Sequence, residues 1–509
     1  MRAQIIRLRH AEPGRIILSA LLFLTLGALF LLPSLSVPAA RVQSALLQFV
    51  RTQPDAQVAV IVQKTDNGVD LAPLLARLGG RVTQDLSIIH AFAAQLPARA
   101  IPELAAAPGV RWISPDAPVA KSSCKSCDPQ NLSSNSYTQA INANQLWQGS
   151  PSLQGQGITV AVIDSGIDNH TDLDNGLSNN SRVIARVRVK GNTQGWFDHY
   201  GHGTHIAGVI GGNGETSNGL YQGVAPQVNL VSVQVTDDEG MGMTSDVVAG
   251  MQWVLNNKDR YNIRVVNLSL NSSVAQSYNV DPLDAAAEIL WFNKIVVVVS
   301  AGNTGPNGVL YAPANDPFVI TVGAVNDHGT PDIGDDTLAG YSAYATTPDG
   351  VAKPDLVAPG QNIVSLLGSE GTTIARAHRD HVVNSAYFRM SGTSVSAAVV
   401  SGAAALLIQS NPALNPDQVK SRLLSTARPF GSGTGAGYLD IAAAVRATTL
   451  DTANTGTPAS RLLWTGPNPP LWDSVSWTSV SWTSVSWTSV SWTSVSWTSV
   501  SWTSDYWGN

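Results

Sequence analysis

Cysteine is nearly absent from this 509-residue chain, with Cys124 and Cys127 the only two. A disulfide-scaffolded fold is thereby excluded, and the pair alone cannot complete a four-ligand zinc site. Charge is scarce too: Asp, Glu, Lys and Arg make up 13% of the residues, with a formal net of −6. No basic block of useful length occurs, so nucleic acid drops out as a partner. What the chain has in quantity is apolar residues, 44% of the total, and 44 glycines. That balance suits compact bodies with many turns and close backbone contacts. The length calls for two or three domains rather than one core.

Residues 1–40 read as an export signal. Arg2, Arg7, Arg9 and Arg15 precede an uncharged apolar run from Ile16 to Leu32, and small residues follow as far as Ala40. The run is longer than an ordinary signal core and slightly short of a standard span, so an uncleaved anchor is the alternative. Residues 55–120 give a β-α-β-β-α-β pattern. Strands are expected at Gln57–Val62, Arg81–Leu86, Ala91–Leu96 and Val110–Ile113, with helices at Leu71–Leu78 and Ile101–Ala106. That is the ferredoxin-like order. Any small α+β domain can show it, but its place before a larger body favours a propeptide. Residues 121–139 form a polar linker open to proteolysis. Its Cys124-Lys125-Ser126-Cys127 lacks the βαβ context of a redox motif and reads as a local disulfide or two idle thiols.

Residues 140–447 alternate buried strands with helices. Ile158–Ile163, Val228–Val235, Arg264–Leu270, Ile295–Val299 and Val319–Val325 are apolar almost throughout, as strands covered on both faces must be. Helices are expected at Thr244–Asn256, capped by Thr244 or Ser245, and at Pro282–Phe292. The fold class is α/β: a three-layer sandwich with a mainly parallel sheet, preceded by the small α+β unit. Sites in such sheets form beyond the carboxyl ends of the strands, which singles out Asp164 and Gly302-Asn303.

Residues 448–471 read as a linker, and 472–509 as a low-complexity tail in which Trp472, Trp477, Trp482 and their successors recur every fifth residue. A five-residue step collects the indoles on one face of neither a strand nor a helix. The tail is thus a flexible extension, a short β-solenoid, or an arm for contact with envelope, glycan or partner.

Three segments of the body carry polar residues that its apolar pattern does not need. They are Val162-Ile163-Asp164-Ser165-Gly166, Gly201-His202-Gly203-Thr204-His205 and Gly392-Thr393-Ser394-Val395-Ser396. A serine in a small-residue turn before a buried helix has an outward hydroxyl and free backbone N–H groups beside it. With a histidine and a carboxylate it makes a nucleophile, a general base and a group orienting that base. His202 and His205 lack a third metal ligand, and His205 reads as a packed structural histidine.

Asp164, His202 and Ser394, in that order and those surroundings, resemble the subtilisin-like serine peptidases, whose Asp-His-Ser order is a known pattern and no derivation from this chain. Gly223-Val224-Ala225-Pro226, Val266-Asn267-Leu268-Ser269-Leu270, Ala301-Gly302-Asn303 and Lys353-Pro354-Asp355 to Gly360 match as well. The resemblance covers roughly Ala140 to Ala447, and residues 55–120 resemble the family's inhibitory propeptide.

It implies a secreted zymogen that hydrolyses peptide bonds in protein substrates and is held by its own propeptide. Ser394 would attack, His202 would carry the proton, Asp164 would hold the imidazole, and Asn303 would donate to the oxyanion. Substrate backbone would lie along Ser269, Leu270 and Asn271 and along Ser300, Ala301 and Gly302. Where the family carries glycines, this chain has Asn271-Ser272, which leaves side-chain preference open. No cofactor is implied for catalysis. A structural calcium is allowed at the Asn213–Leu220 loop with Asp172, although no complete ligand set can be read. A catalytically silent surface or binding protein on the same fold is the competing reading.

Overall fold

The structure, a computed structural model, describes residues 41–121, 135–175, 180–189, 197–463 and 471–472. The export signal, Cys124, Cys127 and the tail beyond Trp472 lie outside the described residues.

The N-terminal unit has strands β1 (Gln57–Lys64), β2 (Arg81–Leu86), β3 (Ala91–Pro97) and β4 (Val110–Pro115) in the antiparallel order β2-β3-β1-β4. Helices Ala72–Arg77 and Ile101–Ala106 complete the expected β-α-β-β-α-β order. Side-chain alternation divides the sheet between two cores. Val60, Val62, Phe92 and Ala94 face the unit's own helices, whereas Ile61, Ala91 and Ala93 join the core of the large body. The unit also starts earlier than the sequence pattern indicates. Val42 bridges to Ile113, and a helix covers Ser44–Thr52.

In the body, β6 (Thr159–Asp164) lies at the centre of a mostly parallel sheet. Beside it on one side are β8 (Asn229–Gln234) and then β7 (Val183–Arg188); on the other are β10 (Ile263–Leu268), β12 (Val296–Ser300) and β13 (Ile320–Asn326). Leu356–Pro359 pairs parallel to β13, and the short β14 (Thr337–Leu338) pairs antiparallel to it. Helices Thr244–Tyr261 and Pro282–Phe292 pack on one face of the sheet, and Thr393–Ser410 on the other. The last is Ala- and Ser-rich and buried almost end to end, because small side chains let it lie close to the strands.

Three sequence expectations need correction. The Thr244–Tyr261 helix is capped by neither Thr244 nor Ser245, since both are already helical and Met243 is the cap position. The two hydroxyls instead reach the N-terminal unit, where Ser245 Oγ donates to Asp116 Oδ2 at 2.7 Å and Thr244 Oγ1 to the Ala117 carbonyl at 3.1 Å. Arg264–Leu270 is two strands, β10 and β11 (Leu270–Ser272), separated at Ser269. Residues 448–463 and 471–472 are no free linker: Leu462 and Trp472 are buried against the body, and the Ser460 N–H donates to the Glu288 carboxylate at 2.8 Å.

Candidate active site

Asp164 ends the central strand β6 and is fully buried. Its Oδ1 lies 2.9 Å from His202 Nδ1 and accepts from the Ser165 N–H at 2.7 Å. A buried carboxylate needs such donors to stay in place. His202 opens the His202–Gly211 helix, which Asp198 caps by accepting from the N–H groups of Gly201 and Thr204, each at 2.8 Å. Gly203 is obligatory here. A Cβ on it would meet the Gly166 carbonyl at 2.1 Å and the Asp164 carboxylate at 3.1 Å. With Nδ1 held on Asp164, Nε2 is the imidazole's other nitrogen, and among the described residues it makes no hydrogen bond.

Ser394 is the second residue of the Thr393–Ser410 helix, so its backbone N–H is one of the donors at a helix start that have no partner within the helix. Its hydroxyl donates to the Ser269 carbonyl at 3.1 Å, and Ser269 Oγ returns a bond to the Ser394 carbonyl at 3.0 Å. Thr393 ties this turn to Asn303. The Asn303 Oδ1 accepts from the Thr393 N–H at 3.1 Å and from its hydroxyl at 2.9 Å, while Thr393 Oγ1 accepts from the Gly302 N–H at 3.1 Å. Anchoring Oδ1 in this way sets the direction of the amide's donor end.

The cleft holds a strand. Beyond β4 the N-terminal unit ends as β5 (Pro118–Lys121), which runs antiparallel to β11 with Val119 opposite Ser272, Ala120 opposite Asn271 and Lys121 opposite Leu270. The chain therefore advances toward Ser269, whose carbonyl holds the Ser394 hydroxyl. On its other side β5 pairs with β9 (Gly242–Met243). An extended peptide lying between two strand edges is the β-augmentation mode of recognition.

The sequence profile of the subtilase family matches residues 155–459. Serine protease AprX of Bacillus subtilis is 38% identical over 56% of this chain and 64% of its own. Subtilisin NAT of Bacillus subtilis subsp. natto is 31% identical over 73% of this chain and 85% of its own. The chain belongs to the subtilase family. Its body is of the subtilisin-like serine endopeptidase class, on an α/β fold. Among solved structures, fervidolysin from Fervidobacterium pennivorans, a keratinolytic enzyme related to subtilisin, superposes with a TM-score of 0.62 at 25% identity. That match covers 80% of this chain and 63% of fervidolysin.

Among the described residues, Ser300 and Ala301 form no ladder with β5. The Ala301 N–H bonds within the sheet, to the Val322 carbonyl at 2.9 Å, and the Gly302 carbonyl accepts from Ala343 at 3.0 Å. The second edge is Gly242–Met243, which the sequence reading missed. Its only signal was glycine density, Gly240-Met241-Gly242, before a helix. Asp198 and Thr393 were also missed, since each acts through hydrogen bonds across the chain. His205 is fully buried with Nε2 3.2 Å from the Ile363 carbonyl, and burial lowers its pKa to about 3, so it is a neutral structural residue.

The calcium allowed at Asp172 does not fit the residues present. Asp172 Oδ1 accepts from the Thr216 N–H at 2.8 Å and Oδ2 from the Tyr387 hydroxyl at 2.7 Å. The buried Arg182 guanidinium donates to the Asp172 carbonyl at 2.7 Å. Donors and a fixed cation thus surround the oxygens that a calcium ion would need.

Proposed function

We propose that this subtilase is exported as a zymogen and works as an endopeptidase through Asp164, His202 and Ser394. The observation that carries the reading is β5, an antiparallel strand in the cleft that advances on the serine. A protein substrate would take the same slot once the N-terminal unit has left. The Ser394 hydroxyl, resting on the Ser269 carbonyl, would turn to His202 Nε2 and attack the scissile carbonyl as the imidazole takes its proton. Asp164 would hold the imidazolium, and the Ser394 N–H with the Asn303 amide would stabilise the oxyanion. The proton then passes to the leaving amine, and water repeats the sequence in reverse to free the acid and Ser394.

The same geometry supports maturation in cis. The register carried one residue past Lys121 leads to Ser269, so the first cut is expected in the stretch just after Lys121. The N-terminal unit would then act as an inhibitor until it is lost. The arginine-led apolar run at the N-terminus supports export, and proteins outside the cell are the substrates we propose.

The test compares secreted wild type with Ser394→Ala by intact mass and casein hydrolysis. Wild type should lose the residues up to the stretch after Lys121 and digest casein, while the variant stays unprocessed and inert. Equal processing of both, with no hydrolysis by either, would leave a binding protein on this fold.

A further inference from the structure

Cutting the chain after Lys121 does not by itself remove the N-terminal unit, and the segment at 458–463 bears on what holds it. That segment lies between the body and the unit and is bonded to both. Towards the body, the Ser460 N–H donates to Glu288 at 2.8 Å and Ser460 Oγ to the Tyr278 carbonyl at 3.2 Å, while the Tyr278 hydroxyl donates to the Pro458 carbonyl at 3.0 Å. Ser460 and Glu288 are fully buried, so this side is fixed. Towards the unit, the Leu462 carbonyl accepts from Gln63 Nε2 at 2.9 Å and from Arg111 Nη1 at 2.8 Å, and Arg111 Nη2 donates to the Arg461 carbonyl.

The contact is built rather than incidental. Gln63 follows Ile61 by two in β1 and so points the same way, towards the body, on a face that is otherwise apolar. A buried amide there needs partners, and Nε2 has two, the Leu462 carbonyl and, at 2.9 Å, that of Ile89. Both lone pairs of the Leu462 oxygen are thereby taken by the unit. The subtilase profile ends at residue 459, so Arg461 and Leu462 belong to what this chain adds to the family domain. The strand in the cleft and this segment hold the unit at two separate places. A ligand held at two sites leaves only when both let go together. We propose that residues 458–463 are a second docking surface for the N-terminal unit, one that keeps the cleaved unit on the enzyme and delays the onset of activity. It rests on the zymogen reading of the cleft. The coupling is reciprocal: when the unit leaves, the segment loses the donors of Gln63 and Arg111 and loosens in turn.

The test follows the full chain through its own maturation by intact mass, size exclusion and casein hydrolysis. In wild type the cut unit should co-elute with the body, and hydrolysis should lag behind the cut. Leu462→Ala changes the segment alone. It should be cut at the wild-type rate yet shed the unit about 10-fold faster or more, with a shorter lag. Arg111→Lys keeps the charge but cannot bridge two carbonyls, and it should shift both readouts the same way. Once the unit is gone, both variants should match wild type in kcat/KM. Amide hydrogen exchange needs no substitution in the contact: residues 460–463 should exchange slowly in Ser394→Ala, which keeps the unit, and faster in wild type that has shed it. Retention and lag unchanged in both variants, or exchange at 460–463 indifferent to the unit, overturns the proposal. Wild type that is never cut overturns the zymogen reading and the proposal with it.

Discussion

Gln63 Nε2, in the first strand of the N-terminal unit, donates to the carbonyl of Leu462 at 2.9 Å, across 399 residues of chain. Arg111 Nη1, from the last strand of the same sheet, donates to the same oxygen at 2.8 Å. The segment after the peptidase body therefore grips the unit whose end occupies the cleft, and Asp116 at the Thr244–Tyr261 helix adds a second grip.

Arg111→Ala should loosen the N-terminal unit. Burial lowers the Arg111 pKa to about 10, so it is charged at neutral pH, and a hydrogen bond to a charged group contributes about 1.5–3 kcal/mol. Retention of the unit after processing should fall by roughly 10-fold or more, and casein hydrolysis should begin earlier. Co-elution on size exclusion and the lag of the progress curve measure both. An unchanged lag would mean that the grip has no part in inhibition.

Asn303→Ala tests the oxyanion role proposed for the Asn303 amide. Thr393 fixes the Asn303 amide by two bonds, so the donor needs no reorganisation during reaction. Its loss should lower kcat about 100–1,000-fold, a cost established on a subtilisin rather than derived from this structure. KM should change little, since the bond forms fully only in the transition state.

How much of this was legible in the sequence follows from the range of the forces involved. The apolar runs at Val160–Ile163 and Val296–Val299 announce buried parallel strands, and the helix carrying Ser394 shows in its small residues. Asp164, His202 and Ser394 each stand at an element boundary, where polar residues have no core role to play. The pieces held by distant partners were not legible. Asp198 caps a helix that starts after residues with no pattern of their own, and Gly242–Met243 becomes an edge only because β5 lies beside it. Trp472 looks like one member of a repeat until Phe292 and Asp417 are placed around it.

Stability of the loop at Asp172 should not depend on calcium. Thr216, Tyr387 and Arg182 already satisfy the oxygens there. EDTA should therefore leave the Tm of the Ser394→Ala protein unchanged. Tyr387→Phe removes one donor to a buried carboxylate and should cost about 1–3 kcal/mol. A Tm that falls in EDTA and recovers with added calcium would contradict this account.

Trp472 ties the last described segment down. Its indole stacks on Phe292 with centroids 4.4 Å apart, and Nε1 donates to Asp417, which also accepts from Trp291 at 2.9 Å. Trp472→Ala should cost about 3–5 kcal/mol where the loss is felt globally. It should also make residues 448–472 cleavable by an added protease in the Ser394→Ala background, while Trp472→Phe, which keeps the stack, should be milder.

Acid should suit one part of the body better than neutrality. Asp281, Asp284, Glu288 and Asp316 are all buried, and desolvation raises each carboxyl above its ordinary value, Asp281 to about 6 and Asp316 to about 7. Lys353 and Lys420 pull Asp316 the other way but do not offset its burial, and Asp349 adds further negative charge near Asp284. A carboxyl raised on folding keeps its proton where the unfolded chain has released it. Its contribution is therefore full below the ordinary value of 3.8 and is lost as pH rises toward about 7. Asp316→Asn keeps the acceptor for the Phe318 N–H, 2.7 Å away in the native chain, and removes the titration. Measured on the Ser394→Ala background to prevent autolysis, Tm of the Asn variant should fall less between pH 4 and 7 than that of its parent. Identical slopes would show that Asp316 stays ionised in the folded protein, its charge balanced by the two lysines.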